Sequence, residues 1–218
     1  MIFNNFDGCQ NPLGGLQSGR NRRNILQIDE NAFFRGVVER LFMPREFEVS
    51  FHETFRFIKK FFPADQLNLH LYDAQMNAIR TIAVATNEGA KKTNTVLPLD
   101  KQGIEYFRDP KTPEEELIVK GENNPGFAAI IRYDKQQYEY SVMALHLRKE
   151  NELFGIVSVL LKGQANTARQ LKLLSTLKIP FTFAISTLAQ NDEISHLKQR
   201  MDGSFIEKID ACLDQSFP

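Results

Sequence analysis

The chain has 218 residues, room for one domain with extensions or two very small ones. Its 27 Lys and Arg balance 27 Asp and Glu, so bulk charge gives no reason to expect a nucleic-acid or membrane partner. A hydrophobic fraction of 42% with 25% charged residues excludes a disordered chain, and no apolar run approaches the ~18–20 residues of a membrane-spanning helix. The aromatic residues are unevenly distributed: nine of the 18 Phe fall between Phe33 and Phe62, and there is no Trp.

Residues 1–28 are rich in Asn, Gly and Gln and read as a flexible tail. They hold no apolar core of the kind a secretory signal needs. A first helix starts at Asp29 or Asn31, either of which can accept from free first-turn amides, and stops at Pro44. A second helix runs from Arg45 to Phe62. Phe47, Phe51, Phe55, Ile58 and Phe62 form one stripe on it, and Phe57 and Phe61 widen that stripe to about 160°. A surface helix needs only about 100°. The excess predicts contact with a sheet below and with another helix or a second subunit beside it.

Leu67, Leu69 and Leu71 alternate with Asn68, His70 and Tyr72, the pattern of a strand. Ala78–Thr86 reads as its hairpin partner, Asn87–Asn94 as a loop and Thr95–Leu99 as a short strand. Lys101–Asn124 is polar and carries Glu114-Glu115-Glu116. It is expected to cover one sheet face with irregular structure and a short helix, its acidic run a solvated loop. Pro125 after Asn124 opens a helix to about Tyr133. Tyr138–Arg148 and Leu153–Lys162 form a second hairpin. Thr167 then caps a long helical region that Pro180 should bend or break. The order predicts an α+β domain of three layers. A central antiparallel sheet of five to six strands has the terminal helices on one face and pocket-forming segments on the other. Residues 29–200 form the domain, and 201–218 a C-terminal extension.

No phosphate loop, G-x-G-x-x-G turn or G-x-S-x-G elbow occurs. Cys9 and Cys212, near opposite ends, give no disulfide framework and imply reduced thiols in a cytoplasmic protein. The four histidines lack metal-ligand spacing. His70 and His146, each mid-strand, are the best candidates to line a small-molecule site, with Tyr72, Arg132 and Tyr138. One intervening strand would hold the two histidines about 9–10 Å apart, too far to share a metal. Ordinary core hydrogen bonding is the competing reading for both.

Several stretches carry a resemblance: Asn31-Ala32-Phe33-Phe34-Arg35, Phe62-Pro63-Ala64-Asp65, Leu69-His70-Leu71-Tyr72-Asp73, and Ala78-Ile79-Arg80-Thr81-Ile82-Ala83. Ser141 to Lys162 and the proline-broken Ile179-Pro180-Phe181-Thr182-Phe183-Ala184-Ile185 extend it. Together they resemble a GAF domain, in particular the N-terminal sensor of bacterial sigma-54-dependent transcriptional regulators, over residues 29 to 200. The resemblance implies a non-enzymatic sensor that binds a small molecule or regulatory protein and signals through its terminal helices as a homodimer. Phe33, Phe34, Phe57, Phe61, Phe181 and Leu188 are the residues expected at that interface.

The regulators continue into an ATPase module and a DNA-binding helix-turn-helix. Neither pattern occurs here, so neither ATP hydrolysis nor direct nucleic-acid contact is expected, whether the chain stands alone or belongs to a longer regulator. GAF relatives that reduce methionine sulfoxide or attach bilins use a cysteine in the domain, and residues 10–211 contain none. The Asn-Lys-Phe-Asp-Glu signature of the cyclic-nucleotide class is also missing. The resemblance names no ligand or cofactor, because the pocket is shaped by residues 87–137, which follow the pattern least. The alternative function is a protein-interaction adaptor whose pocket has collapsed.

Overall fold

A computed structural model describes residues 29–119, 124–131, 140–163 and 166–191. Two helices, α1 (Glu30–Leu41) and α2 (Phe47–Ile58), lead into strands β1 (Gln66–Asp73), β2 (Ala78–Thr86) and β3 (Ala90–Pro98). Helix α3 (Lys101–Arg108), strand β4 (Glu115–Ile118) and helix α4 (Pro125–Ile131) follow. Strands β5 (Tyr140–Lys149) and β6 (Glu152–Lys162) precede α5 (Ala168–Ser175) and α6 (Lys178–Asn191). The strands form one sheet in the order β3-β2-β1-β6-β5-β4, every neighbour antiparallel. This is the expected α+β architecture. Residues 1–28, expected to be a flexible tail, and 201–218, expected to be an extension, lie outside the described residues, as do Cys9 and Cys212.

Alternation gives the sheet two faces of different chemistry. Leu67 and Leu69 of β1, Met143 and Leu145 of β5, and Val157 and Val159 of β6 point to one side. There they join Phe33, Phe51, Phe55, Leu174, Phe181 and Ile185 from the terminal helices in one core. Asn68, His70, His146 and Ser158 point the other way. Both faces are buried, so each needs a covering layer.

The broad apolar face of α2 is explained within the chain. Phe51, Phe55 and Ile58 are fully buried in the shared core. Phe57 and Phe61, on the flank, meet α1. The Phe33 ring lies 4.8 Å from Phe61, edge to face, and 6.4 Å from Phe57. The Phe57 ring occupies the space above Gly36, where an added Cβ would stand 2.2 Å from its tip. Arg40 caps the same ring at 4.1 Å while donating to the Gly36 carbonyl. Of the six residues expected at a dimer interface, Phe33 and Phe181 are thus corrected: both are completely enclosed and present no surface to a second copy. Phe34, Phe57, Phe61 and Leu188 are partly buried against the same core.

Local signals place the element ends. The Asp29 carboxylate accepts from the amides of Asn31 and Ala32, each at 3.0 Å, and so starts α1. Thr167 and Gln170 form a reciprocal capping box on α5. The β5–β6 hairpin turns on Glu150 and Asn151, both at positive φ, which matches the twist of the strands it joins. The break in the C-terminal helical region falls at Thr176-Leu177, not at Pro180, and bends it by 58°. Pro180 sits in the first turn of α6, where a missing amide costs nothing.

Four other expectations are corrected. The second helix ends at Ile58, not Phe62, which lies beyond it in a turn. Residues 90–94 belong to β3 rather than to a loop. That edge strand is exposed and polar, so backbone pairing to β2 holds it without an apolar alternation. The segment after Lys101 holds the expected short helix, α3, capped by Asp100, but continues into strand β4 where irregular structure is expected. The run Glu114–Glu116 is not a solvated loop: Glu115 and Glu116 pair with β5, and Glu114 and Glu115 both reach Lys178 of α6 at 2.8 Å.

Phe33→Ala is expected to cost about 3–5 kcal/mol in urea unfolding, because a buried ring is lost and little can collapse into its place. Phe42→Ala, at a ring 47% exposed, should change stability by less than about 0.5 kcal/mol.

Candidate ligand cavity

The second face of the sheet does not pack solidly against its covering layer. A cavity of about 340 Å³ lies between it and the α3, α4 and β3 segments, in the range of small-molecule sites. Its walls are apolar where Val142, Ala144, Ile156, Leu160 and Phe127 line it. Gly126 lets α4 approach closely: an added Cβ would stand 2.6 Å from Phe107 and 2.7 Å from Tyr106.

The floor is a chain of neutral polar side chains across three strands. Gln66 donates to Asn68 at 2.7 Å, and Asn68 donates to the Ser158 hydroxyl at 3.2 Å. His70 Nε2 lies 2.9 Å from the same hydroxyl, and its Nδ1 3.0 Å from Thr81 Oγ1. A β-bulge sets this last contact. Leu69 pairs with Ala83 and His70 with Thr81, so Ile82 is the extra residue and turns into the helix-side core. Without the bulge, Ile82 would stand opposite His70. Burial lowers the His70 pKa from 6.5 to about 4, so the ring is neutral.

His146 occupies the far side of the cavity. It and His70 both stand opposite Ile156, on either side of β6, as the sequence reading anticipates. Two strand spacings put them about 9–10 Å apart. Among the described residues, no group of three His, Cys, Asp or Glu is placed to hold a metal. The Nδ1 of His146 lies 2.6 Å from the Pro113 carbonyl, which can only accept, so Nδ1 carries the proton. Its Nε2 faces Glu116 Oε2 at 3.7 Å. Burial lowers the His146 pKa, outweighing the opposing Pro113 carbonyl and Glu116 charge. Burial and then a hydrogen bond to Glu116 raise the Tyr106 pKa well above the usual phenol range, so its hydroxyl stays a donor. Asn124 donates to that hydroxyl at 3.1 Å and reaches both Glu116 oxygens at 3.4 Å.

The structure therefore brings His70 and His146 to one cavity. Tyr72 lies beside the cavity lining, packed against Phe107 with its buried hydroxyl unpaired. Arg132 and Tyr138 lie outside the described residues. Sequence reasoning overlooks Asn68, Ser158, Thr81, Tyr106 and Glu116. Two of these carry a signal: Asn68 and His70 alternate on a strand central enough to be buried on both faces, and Ser158 is the lone polar residue between Gly155 and Leu161.

Sheet order, helix placement and cavity position together give the GAF-domain fold. No protein-family model and no curated protein matches the sequence. Among solved structures, a GAF domain from a phosphoenolpyruvate-protein phosphotransferase of Coxiella burnetii superposes with a TM-score of 0.53 at 14% identity, covering 75% of this chain and 96% of that one. The free methionine-R-sulfoxide reductase of Neisseria meningitidis, solved with its substrate, has a TM-score of 0.52 at 10% identity, covering 74% and 91%. A phycoerythrobilin-bound GAF domain from a cyanobacterial phytochrome has a TM-score of 0.50 at 12% identity, covering 77% and all of that chain. At such identities the likeness is one of fold. No single helix among the described residues is long and apolar enough to cross a membrane.

The neutral His70 makes stability pH-dependent. Its folded pKa is depressed, so the stabilisation is complete above pH 6.5 and is lost as pH falls toward 4. Within that window each pH unit should cost up to about 1.4 kcal/mol. Denaturant unfolding between those pH values should show the loss, and His70→Asn should reduce it, leaving the part due to the depressed His146.

Proposed function

We propose that this domain senses a small organic molecule held in the cavity and passes its occupancy to the terminal helices. The observation that carries the reading is an open cavity over a buried polar floor whose own hydrogen bonds are already made. A collapsed, ligandless adaptor would have that space filled with side chains. The sulfoxide reductase solved with its substrate and the bilin-bound domain support the reading by analogy: the same fold takes small molecules elsewhere.

A route to the helices supports the second half of the proposal. On β4, Glu116 pairs with the cavity-side Ala144, and Glu115 with the helix-side Leu145. The same short strand thus faces the cavity with one carboxylate and holds Lys178 of α6 with its neighbours. Ile179 and Phe183, one turn apart on α6, are 67% and 61% exposed and form an apolar stripe suited to a partner. We extend the reading to a non-enzymatic, cytoplasmic regulator that dimerises through its terminal helices and touches no nucleic acid itself. The resemblance in sequence to the sensors of sigma-54-dependent transcription regulators supports this extension.

A thermal-shift screen against nucleotides, cyclic nucleotides, haem, small organic acids and amines should give at least one stabilising class. A ligand at 100 times its Kd adds ~2.7 kcal/mol. No response from any class would favour the adaptor. Ligand binding should also change amide exchange in α6, and Lys178→Ala should abolish that change while costing less than about 1 kcal/mol in stability. Sedimentation should give a dimer that Phe183→Glu dissociates, whereas a monomer at tens of micromolar would contradict the dimer.

A further inference from the structure

The β4 end of the cavity holds two acceptors with no donor between them. His146 is only 3% exposed and Glu116 14%. With the His146 proton committed to the Pro113 carbonyl, its Nε2 offers a lone pair. The Glu116 carboxylate oxygen facing it at 3.7 Å is also an acceptor, beyond hydrogen-bond length. The neutral donors Asn124 and Tyr106 reach Glu116 but bring no positive charge.

Nor does a described cation form an ion pair with it. Lys178 is held by Glu114 and Glu115. The charge of Arg148 reaches His146 and Tyr106, but its guanidinium donates to the carbonyls of Asp109 and Asn151 and makes no ion pair with Glu116. Lys91 lines the cavity from β3, at the opposite edge of the sheet. A largely buried carboxylate without a counter-charge is costly, and a bound cation would relieve that cost.

We propose that the cavity's occupant is a small organic cation whose N–H groups enter between His146 Nε2 and the Glu116 carboxylate. Its body lies against the apolar wall of Val142, Ala144, Ile156 and Leu160. This rests on the ligand-sensing reading and narrows it to one charge class. A ligand with a single positive head and a flat apolar body satisfies both ends, while an anion placed there would meet two acceptors.

Three probes of nearly one shape separate the charges: benzamidine, benzamide and benzoate, titrated into the full chain at neutral pH and followed by amide NMR. Benzamidine should bind at least about tenfold tighter than benzamide, and benzoate should not bind beside Glu116. Glu116→Gln should weaken benzamidine by about tenfold or more and benzamide far less, and it should not lower the melting temperature of the unliganded protein, because it removes a costly buried charge. The probe ranking in the unmodified protein serves as a test that needs no variant.

Equal or tighter binding of benzoate overturns the proposal, as does benzamidine binding that is indifferent to Glu116→Gln. Arg132 follows α4 in the sequence, so benzamidine that binds only after Arg132→Gln would show that the chain supplies the charge itself, which also overturns it. If benzamidine fails while neutral or anionic fragments occupy the cavity, the charge assignment falls and the sensor reading stands. If no fragment of any class binds, both fall.

Discussion

The hydrogen bond between His70 and Ser158 joins the two central strands on their cavity side. At 2.9 Å it links β1 to β6, and Thr81 and Asn68 extend it along and across the sheet. A buried imidazole or hydroxyl left without a partner would cost about 1–3 kcal/mol, so this chain is stable only when all of it is made. With its own hydrogen bonds made, this floor needs no partner from the covering layer, which spans it above a cavity of about 340 Å³. The bulge at Ile82 serves the same end, because it brings Thr81 rather than an isoleucine opposite His70.

The opposite face obeys the reverse rule. There the strands present Leu, Val and Met, and the terminal helices answer with phenylalanines. The clustering of Phe between Phe33 and Phe62 follows from α2 and the turn after it filling two contacts at once, the sheet through Phe51 and Phe55 and α1 through Phe57 and, beyond the helix, Phe61. The two faces are not isolated from each other. Strand β4 is at the sheet edge and short, and successive glutamates on it face opposite layers. In the proposed sensing, a ligand that displaced Glu116 would act on the Glu114 and Glu115 contacts to α6 through this one strand.

Much of this was legible in the residues because it rests on side-chain alternation. The Leu67–Tyr72 pattern marks β1, the runs before and after Glu150 mark the second hairpin, and Asp29 and Thr167 mark helix starts. What stayed hidden rests on backbone pairing or on contacts between distant segments. Strand β3 is held by its ladder to β2, so Lys91, Lys92 and Thr93 look like loop residues. The acidic run looks solvated until Lys178, distant in sequence, arrives beside it. The bulge left no trace in the residues: Ile79 and Ile82, three apart, lie on opposite faces as in any regular strand, and only the register with β1 shows that Ile82 and Ala83 share the helix side. Of the cavity, the two histidines were legible as polar residues mid-strand. Glu116 was not, because its role depends on which face of a four-residue edge strand it takes.

The proposed ligand recognition in the cavity depends on a face that is neutral at His70 and offers a bare acceptor at His146. The protonation states of the two rings at neutral pH, read from long-range proton–nitrogen NMR of the imidazoles, test this most directly. The structure predicts two neutral rings, with the His146 proton on Nδ1 and Nε2 unprotonated. A cationic His146, or a proton on its Nε2 alone, would contradict the account.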